Sequence, residues 1–222
     1  MRRAHELRRR RATRDVKVIF TVFCEGRVTE AGYAGALRST FRGTPIRIEV
    51  ADVHGDPKFL VEHAAAWLAE AKRMGRRSGD PVDLDQVWCV FDVDDHARLP
   101  EAKDQAAANG IRLAVSNPCF ELWALLHYQD QSAYLHRDAV RAAFIVHQPG
   151  YDKALDCADL INRFAGARAR AISLRDWHRS LGEDETSNPS SNVWELVDAI
   201  ASAAKQPLSP RRPLRASRRP RS

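Results

Sequence analysis

The chain has 222 residues, of which 44% are hydrophobic and 29% charged, with a formal net charge of +6. That length can bury a full core without disulfide or metal staples. No apolar run approaches the roughly 18 residues that cross a bilayer, so a soluble, cytoplasmic protein is expected.

The charge is unevenly distributed along the chain. Residues 1–14 hold seven Arg and one Glu, residues 207–222 hold six Arg and no acid, and the stretch between them, 15–206, is left at −6. Arg mixed with Pro and Ser builds no core, so both ends are expected to be disordered basic arms. They read equally well as solubilising tails or as segments that bind a polyanion through Arg8, Arg9, Arg10, Arg11, Arg211 and Arg212.

Residues 16–24 (VKVIFTVFC) form a continuous β-rich apolar run, which predicts a strand buried on both faces. Glu25 and Gly26 make a turn. From Thr29 a helix is expected, with Tyr33, Leu37 and Phe41 on one face and Gly32 and Gly35 permitting close packing. Residues 45–53 alternate as a second strand, and Asp56 is placed as N-cap before Pro57 at the first helical position. Leu60, Val61, Ala64, Trp67, Leu68 and Ala71 then make a helical stripe.

Residues 86–91 (QVWCVF) predict a third buried strand, running into Asp92-Val93-Asp94-Asp95-His96. A helix over 100–108 should stop at Asn109-Gly110, followed by a fourth strand over 111–116. Asn117, as N-cap before Pro118, opens an almost wholly apolar helix over 119–128. Beyond Gln129 the pattern is helical: one amphipathic segment spans 151–171, and another carries Val193, Leu196, Val197, Ile200 and Ala204, with Asn192 and Glu195 spaced as a capping box. Residues 182–191 are polar and loop-like.

Strands alternating with helices predict an α/β fold with a parallel sheet covered on both faces. The expected boundaries are a core over 15–128 and a helical extension packed on it over 129–206. The four cysteines, Cys24, Cys89, Cys119 and Cys157, contain no C-x-x-C pair and read as reduced, packed thiols.

In such sheets ligands gather outside the carboxyl ends of the strands. Glu25 follows the first strand and Asp92 and Asp94 the third, so the acids converge if those strands are neighbours. The period of two at a strand end sends both aspartates to the same side. Their repulsion calls for a cation, and hard oxygen ligands suit Mg²⁺ or Mn²⁺. By itself a D-x-D is more readily a solvated acidic turn. Glu121 lies in an apolar helix, where an unpaired charge is costly; a place lining the site is favoured over a structural salt bridge. His127, elsewhere on that helix, reads as structural. No G-x-x-x-x-G-K-[ST] loop is present, which argues against ATP hydrolysis by a P-loop mechanism.

The segments FCEG-RVTE (23–30) and VFDVDDH (90–96) together resemble the Toprim signature of a Glu after strand one and a D-x-D after strand three. More narrowly, CEG-x-x-TE, DVDDH and SNPCFELWALLH (116–127), with Tyr151-Asp152-Lys153 and NPSSNV (188–193), are similar to the RloB family, associated with bacterial restriction and phage-defence loci. The resemblance implies a Toprim-like core with a C-terminal helical extension. It also implies a metal-dependent nuclease acting on DNA or RNA in an anti-phage or abortive-infection system.

By that resemblance Glu25 is the general acid/base and Asp92 and Asp94 hold Mg²⁺ or Mn²⁺. Typical Toprim patterns do not dictate Asp95 and His96: Asp95 is placed beside the metal ligands, and His96 reads equally as a proton donor or phosphate ligand and as a surface histidine beside acids. Glu30, Asn117 and Glu121 are placed as lining the site, although Glu30 reads more readily as a helix-start residue. Nucleic acid and a separate ATPase subunit are the implied partners. The alternative is a non-catalytic nucleic-acid or partner-binding subunit. A haloacid dehalogenase-like phosphohydrolase using Asp92 as nucleophile ranks last, because that motif belongs on the first strand and not before Asp95.

Overall fold

The computed structural model describes residues 18–78, 86–93 and 98–208. The start of the first expected strand, at residues 16 and 17, and both basic arms, apart from residues 207 and 208, lie outside the described residues. Four strands, β1 (Val18–Cys24), β2 (Ile46–Val50), β3 (Gln86–Asp92) and β4 (Arg112–Asn117), run parallel in the order β2-β1-β3-β4. A fifth, β5 (Ser190–Ser191), pairs antiparallel with the end of β4.

Side-chain alternation sorts the strands' residues between two cores. Phe20, Val22 and Cys24 of β1 and Trp88 and Val90 of β3 face the larger one. There they meet α1 (Thr29–Thr40), α4 (Phe120–Leu126), α6 (Cys157–Ser180) and α7 (Val193–Ala204), with α5 (Arg137–Ile145) packed outside α4. Phe23 of β1 and Val87, Cys89 and Phe91 of β3 face the smaller core, made with α2 (Pro57–Ser78) and α3 (Leu99–Asn109). Burial on both faces is why these strands read as unbroken apolar runs. None of the helices among the described residues is long and apolar enough to cross a membrane.

The connection from β1 leads through α1 to β2 on one side, while that from β3 leads through α3 to β4 on the other. The two helices cover opposite faces. The chain thus diverges between the carboxyl ends of β1 and β3, which opens a crevice at that point of the sheet.

Several local expectations hold. Asp56 caps α2, its Oδ1 accepting from Lys58 N at 3.1 Å and Phe59 N at 3.2 Å. Gly110, at φ 69°, closes α3 in the left-handed region that glycine occupies freely. All four cysteines are free thiols.

Others are corrected. A Cβ added at Gly32 or Gly35 would meet nothing within 4 Å, so neither glycine serves a close approach. Asn117 is not a helix cap: it ends β4, Cys119 takes the N-cap position of α4, and the Asn117 amide donates to Thr186 O at 2.7 Å. The helical segment expected over 151–171 begins only at Cys157, capped by Asp156, whose side chain accepts from Asp159 N. The loop over 182–191 ends in β5.

Asn192 is at the N-cap of α7 but makes no side-chain capping bond. Its Oδ1 instead accepts from Val115 N at 2.6 Å and its Nδ2 donates to Leu113 O at 3.1 Å. The side chain thus mimics a strand neighbour for β4 and docks α7 onto the sheet. A simple cap would tolerate Ser at this position. Because Ser cannot make both contacts, Asn192→Ser and Asn192→Ala should each cost about 1–3 kcal/mol, read by denaturant unfolding. A near-neutral Asn192→Ser would restore the capping role.

Candidate functional site

β3 carries Trp88 and Val90 toward the larger core, and Asp92 is the next residue in that alternation. It is only 6% exposed. Its amide donates to Glu25 Oε2 at 3.0 Å, while Glu25 N donates to Val90 O at 3.0 Å. Glu25 is thereby tied through main chain and side chain to the end of β3. One Asp92 oxygen, Oδ2, lies 3.5 Å from Arg137 Nη2. The other, Oδ1, is buried and has no hydrogen-bond partner among the described residues.

Two further acids enter from helix first turns. Glu30 on α1 is 7% exposed and Glu121 on α4 is 4% exposed. Gly26 makes room for the first of these, since a Cβ there would run into the Glu30 carboxylate. Burial pushes the Asp92 carboxyl well above the usual carboxylate range, and the charges of Glu30, Glu25 and Glu121 push it further, with Arg137 opposing. Glu30 is also raised, chiefly by burial, partly offset by its own backbone N–H and by Lys153.

Glu121 behaves differently. Burial raises it too, but its own backbone N–H, Lys153 and Tyr151 together hold it below the usual range. Lys153 Nζ lies 3.1 Å from Glu121 Oε1, and Tyr151 OH donates to the same oxygen at 3.0 Å. The loop bearing them is fastened to α1, because Thr29 Oγ1 donates to Lys153 O at 3.0 Å. Glu121 therefore makes the ion pair that was weighed for it, and its charge also acts on Asp92.

Glu25, Glu30, Asp92 and Glu121 are brought to one end of the sheet, whereas the Asn117 amide is committed to Thr186. Asp94, Asp95 and His96 lie outside the described residues, as do Arg8, Arg9, Arg10, Arg11, Arg211 and Arg212. Among the described residues no three His, Cys, Asp or Glu side chains stand close enough together to hold a metal. The donor set is nevertheless all oxygen, and a buried carboxylate oxygen without a partner fits a hard divalent cation.

Arg137, Tyr151 and Lys153 complete the site, and none was assigned a role from sequence. A signal existed for Arg137: it is the first residue of α5, where the helix dipole disfavours a cation. His127 packs against Trp123 and Tyr33, and its Nδ1 contacts Trp123 O at 2.8 Å. Burial pushes its pKa down to about 4, so it is a neutral core histidine. Burial likewise pushes the Cys89 thiol up to about 12, and Cys24 and Cys119 higher, which makes them poor nucleophiles.

A family model described as RloB-like protein matches residues 20–200. No curated protein and no solved structure gives a significant match.

The raised Asp92 carboxyl has a consequence for stability. Its contribution is fully present below the unfolded pKa of about 3.9 and is lost as pH rises toward and through the folded value, so burial of this carboxyl costs stability at pH above the unfolded value. Asp92→Asn should therefore raise the melting temperature at pH 7 in the absence of divalent cation, with the gain fading toward pH 3. A variant less stable than the parent at pH 7 would mean that the Arg137 contact outweighs the burial.

Proposed function

The chain belongs to the RloB-like family, and from that premise we propose that it is a Mg²⁺- or Mn²⁺-dependent nuclease with a Toprim-like core, hydrolysing phosphodiester bonds of DNA or RNA. The observation that carries this reading is the Asp92 carboxylate at the β1–β3 fork, with one buried oxygen unpartnered and Glu25 bound to its amide. The sheet order, with a Glu after β1 and the D-x-D beginning at the end of β3, supports the Toprim comparison.

Asp92, with Asp94 and Asp95, would hold the cation. When bound, it supplies Lewis-acid polarisation of the phosphate and offsets the charge developing on it. Glu25 has the other role. The Asp92 amide holds its carboxylate in place, which suits a general base that takes a proton from the attacking water and later returns it to the leaving oxygen. His96 is a second proton donor or a phosphate ligand in this reading.

Acids alone would repel a polyanion. The 13 arginines of the two arms offer the compensating charge, and such contacts release counterions, so capture through them weakens as salt rises. With no P-loop motif in the sequence, any ATP-driven step falls to a separate ATPase subunit, and the resemblance to a family associated with phage-defence loci supports a role in anti-phage defence or abortive infection inside the cell.

The test is cleavage of labelled DNA, bulk RNA and tRNA by the full chain with Mg²⁺, Mn²⁺ or chelator. Asp92→Asn and Asp94→Asn should each reduce metal-dependent cleavage at least about a hundredfold, as loss of a metal ligand or its support does, while the fold persists. Near-parental cleavage by either variant would remove that residue from the metal site. Metal-independent binding of nucleic acid without cleavage by the parent would favour a non-catalytic binding subunit.

A further inference from the structure

Two cations flank the acids at this end of the sheet. Arg137 Nη2 lies 3.5 Å from Asp92 Oδ2 and Lys153 Nζ lies 3.1 Å from Glu121 Oε1. Each cationic side chain is 49% exposed, whereas the acids they reach are 8% and 6% exposed. Half of each cation therefore faces solvent while the other half touches a buried carboxylate.

Both positions are built into the fold. The segment leading into Arg137 is clasped from both sides by one amide: Leu135 N donates to Asn188 Oδ1 at 3.3 Å, and Asn188 Nδ2 donates to Leu135 O at 2.9 Å. This gives a purpose to the Asn188-Pro189 motif. Lys153 has φ 66°, a left-handed conformation that few non-glycine residues adopt. Thr29 holds it there through the Lys153 carbonyl, and Tyr151 shares Glu121 with its ammonium. Backbone strain retained beside a functional site points to a side chain whose placement matters.

We propose that Arg137 and Lys153 are the phosphate-binding groups of this site, gripping neighbouring phosphates of a nucleic-acid strand, each held in readiness on a buried carboxylate. The proposal rests on the nuclease reading and deepens it by assigning the groups that meet the substrate's backbone. The exposure of the two side chains allows it. Each is half open to solvent, and phosphate oxygens are strong acceptors for an ammonium or a guanidinium. Arg137 also competes with any divalent cation for Asp92, since two positive groups beside one carboxylate repel each other.

The experiment is calorimetric titration of the full chain, with a nucleoside 3′,5′-bisphosphate in chelator as the two-phosphate probe and, separately, with Mn²⁺ alone. Arg137→Gln and Lys153→Gln should each weaken bisphosphate binding about tenfold or more, as loss of a charge-assisted contact does. Arg137→Gln should at the same time bind Mn²⁺ more tightly, a gain that a merely structural role would not produce. Because Lys153→Gln leaves Glu121 buried without its cation, the double variant Glu121→Gln/Lys153→Gln is titrated beside it and should bind the bisphosphate as weakly.

No bisphosphate binding by the parent, parental affinity in either single variant or in the double variant, or weaker Mn²⁺ binding by Arg137→Gln overturns the proposal. Neither titration requires turnover. Failure of the nuclease reading, seen as parental cleavage by Asp92→Asn, is therefore recorded separately from failure of this one.

Discussion

Like charge at the end of β3 is the constraint around which this protein is arranged. Two carboxylates about 5 Å apart repel by about 3 kcal/mol at an effective dielectric of 20, and more where water is excluded. Here burial raises Asp92 and Glu30 and the charges of the neighbouring acids add to it, whereas Glu121 is held below the usual range by its own backbone N–H, Lys153 and Tyr151. The fold spreads the compensation over several groups. Glu121 takes Lys153 and Tyr151, Asp92 takes a longer contact from Arg137, and Glu25 takes a main-chain amide. An apolar core on both faces of the sheet is what keeps the acids from moving apart.

The acids and their counter-charges come from different parts of the chain. Glu25, Glu30, Asp92 and Glu121 lie in the β-α units, whereas Arg137, Tyr151 and Lys153 come from the segment that follows α4. That segment does not pack as an independent layer. Leu160, Phe164 and Ala167 of α6 and Leu196, Val197 and Ile200 of α7 share one core with Phe20 and Trp88. Asn192 bonds β4 directly, and Ser191 Oγ meets Ser116 Oγ at 3.0 Å. The helical extension is thus part of the site's construction, because its clasps set where the cations stand.

Much of this was legible in the sequence where one local rule decided the outcome. Unbroken apolar runs gave β1 and β3, and Asp56-Pro57 gave the start of α2. Glu121 was conspicuous because burial of a lone carboxylate is costly. The partners were not legible, since Arg137 is 45 residues from Asp92 and Lys153 is 32 from Glu121. No spacing rule links such positions. Asn192 misled for a related reason: Asn, with Glu three residues on, satisfies a capping pattern, but a tertiary partner with two backbone groups on offer outcompetes one local N–H. Gly32 and Gly35 misled because glycine in a helix suggests close packing, whereas the glycine that matters spatially is Gly26, which clears the way for Glu30.

The four acids also differ in how far each can respond to a charge placed among them. Asp92 cannot retreat: its backbone is in register with Ser116, and Val93 N continues the pairing by donating to Ser116 O at 2.8 Å. Glu121 is held by two donors on one oxygen, and Glu30 fills the space above Gly26. Glu25 is at a turn beyond β1 and is held on its side chain by the Asp92 amide, a bond whose worth depends on the carboxylate being charged. A group that must gain and lose a proton needs this kind of tether, which weakens when the proton arrives. A group that must hold a cation needs the fixed backbone that Asp92 has. The division of roles proposed for Glu25 and Asp92 rests on where each stands relative to the last hydrogen bond of the sheet.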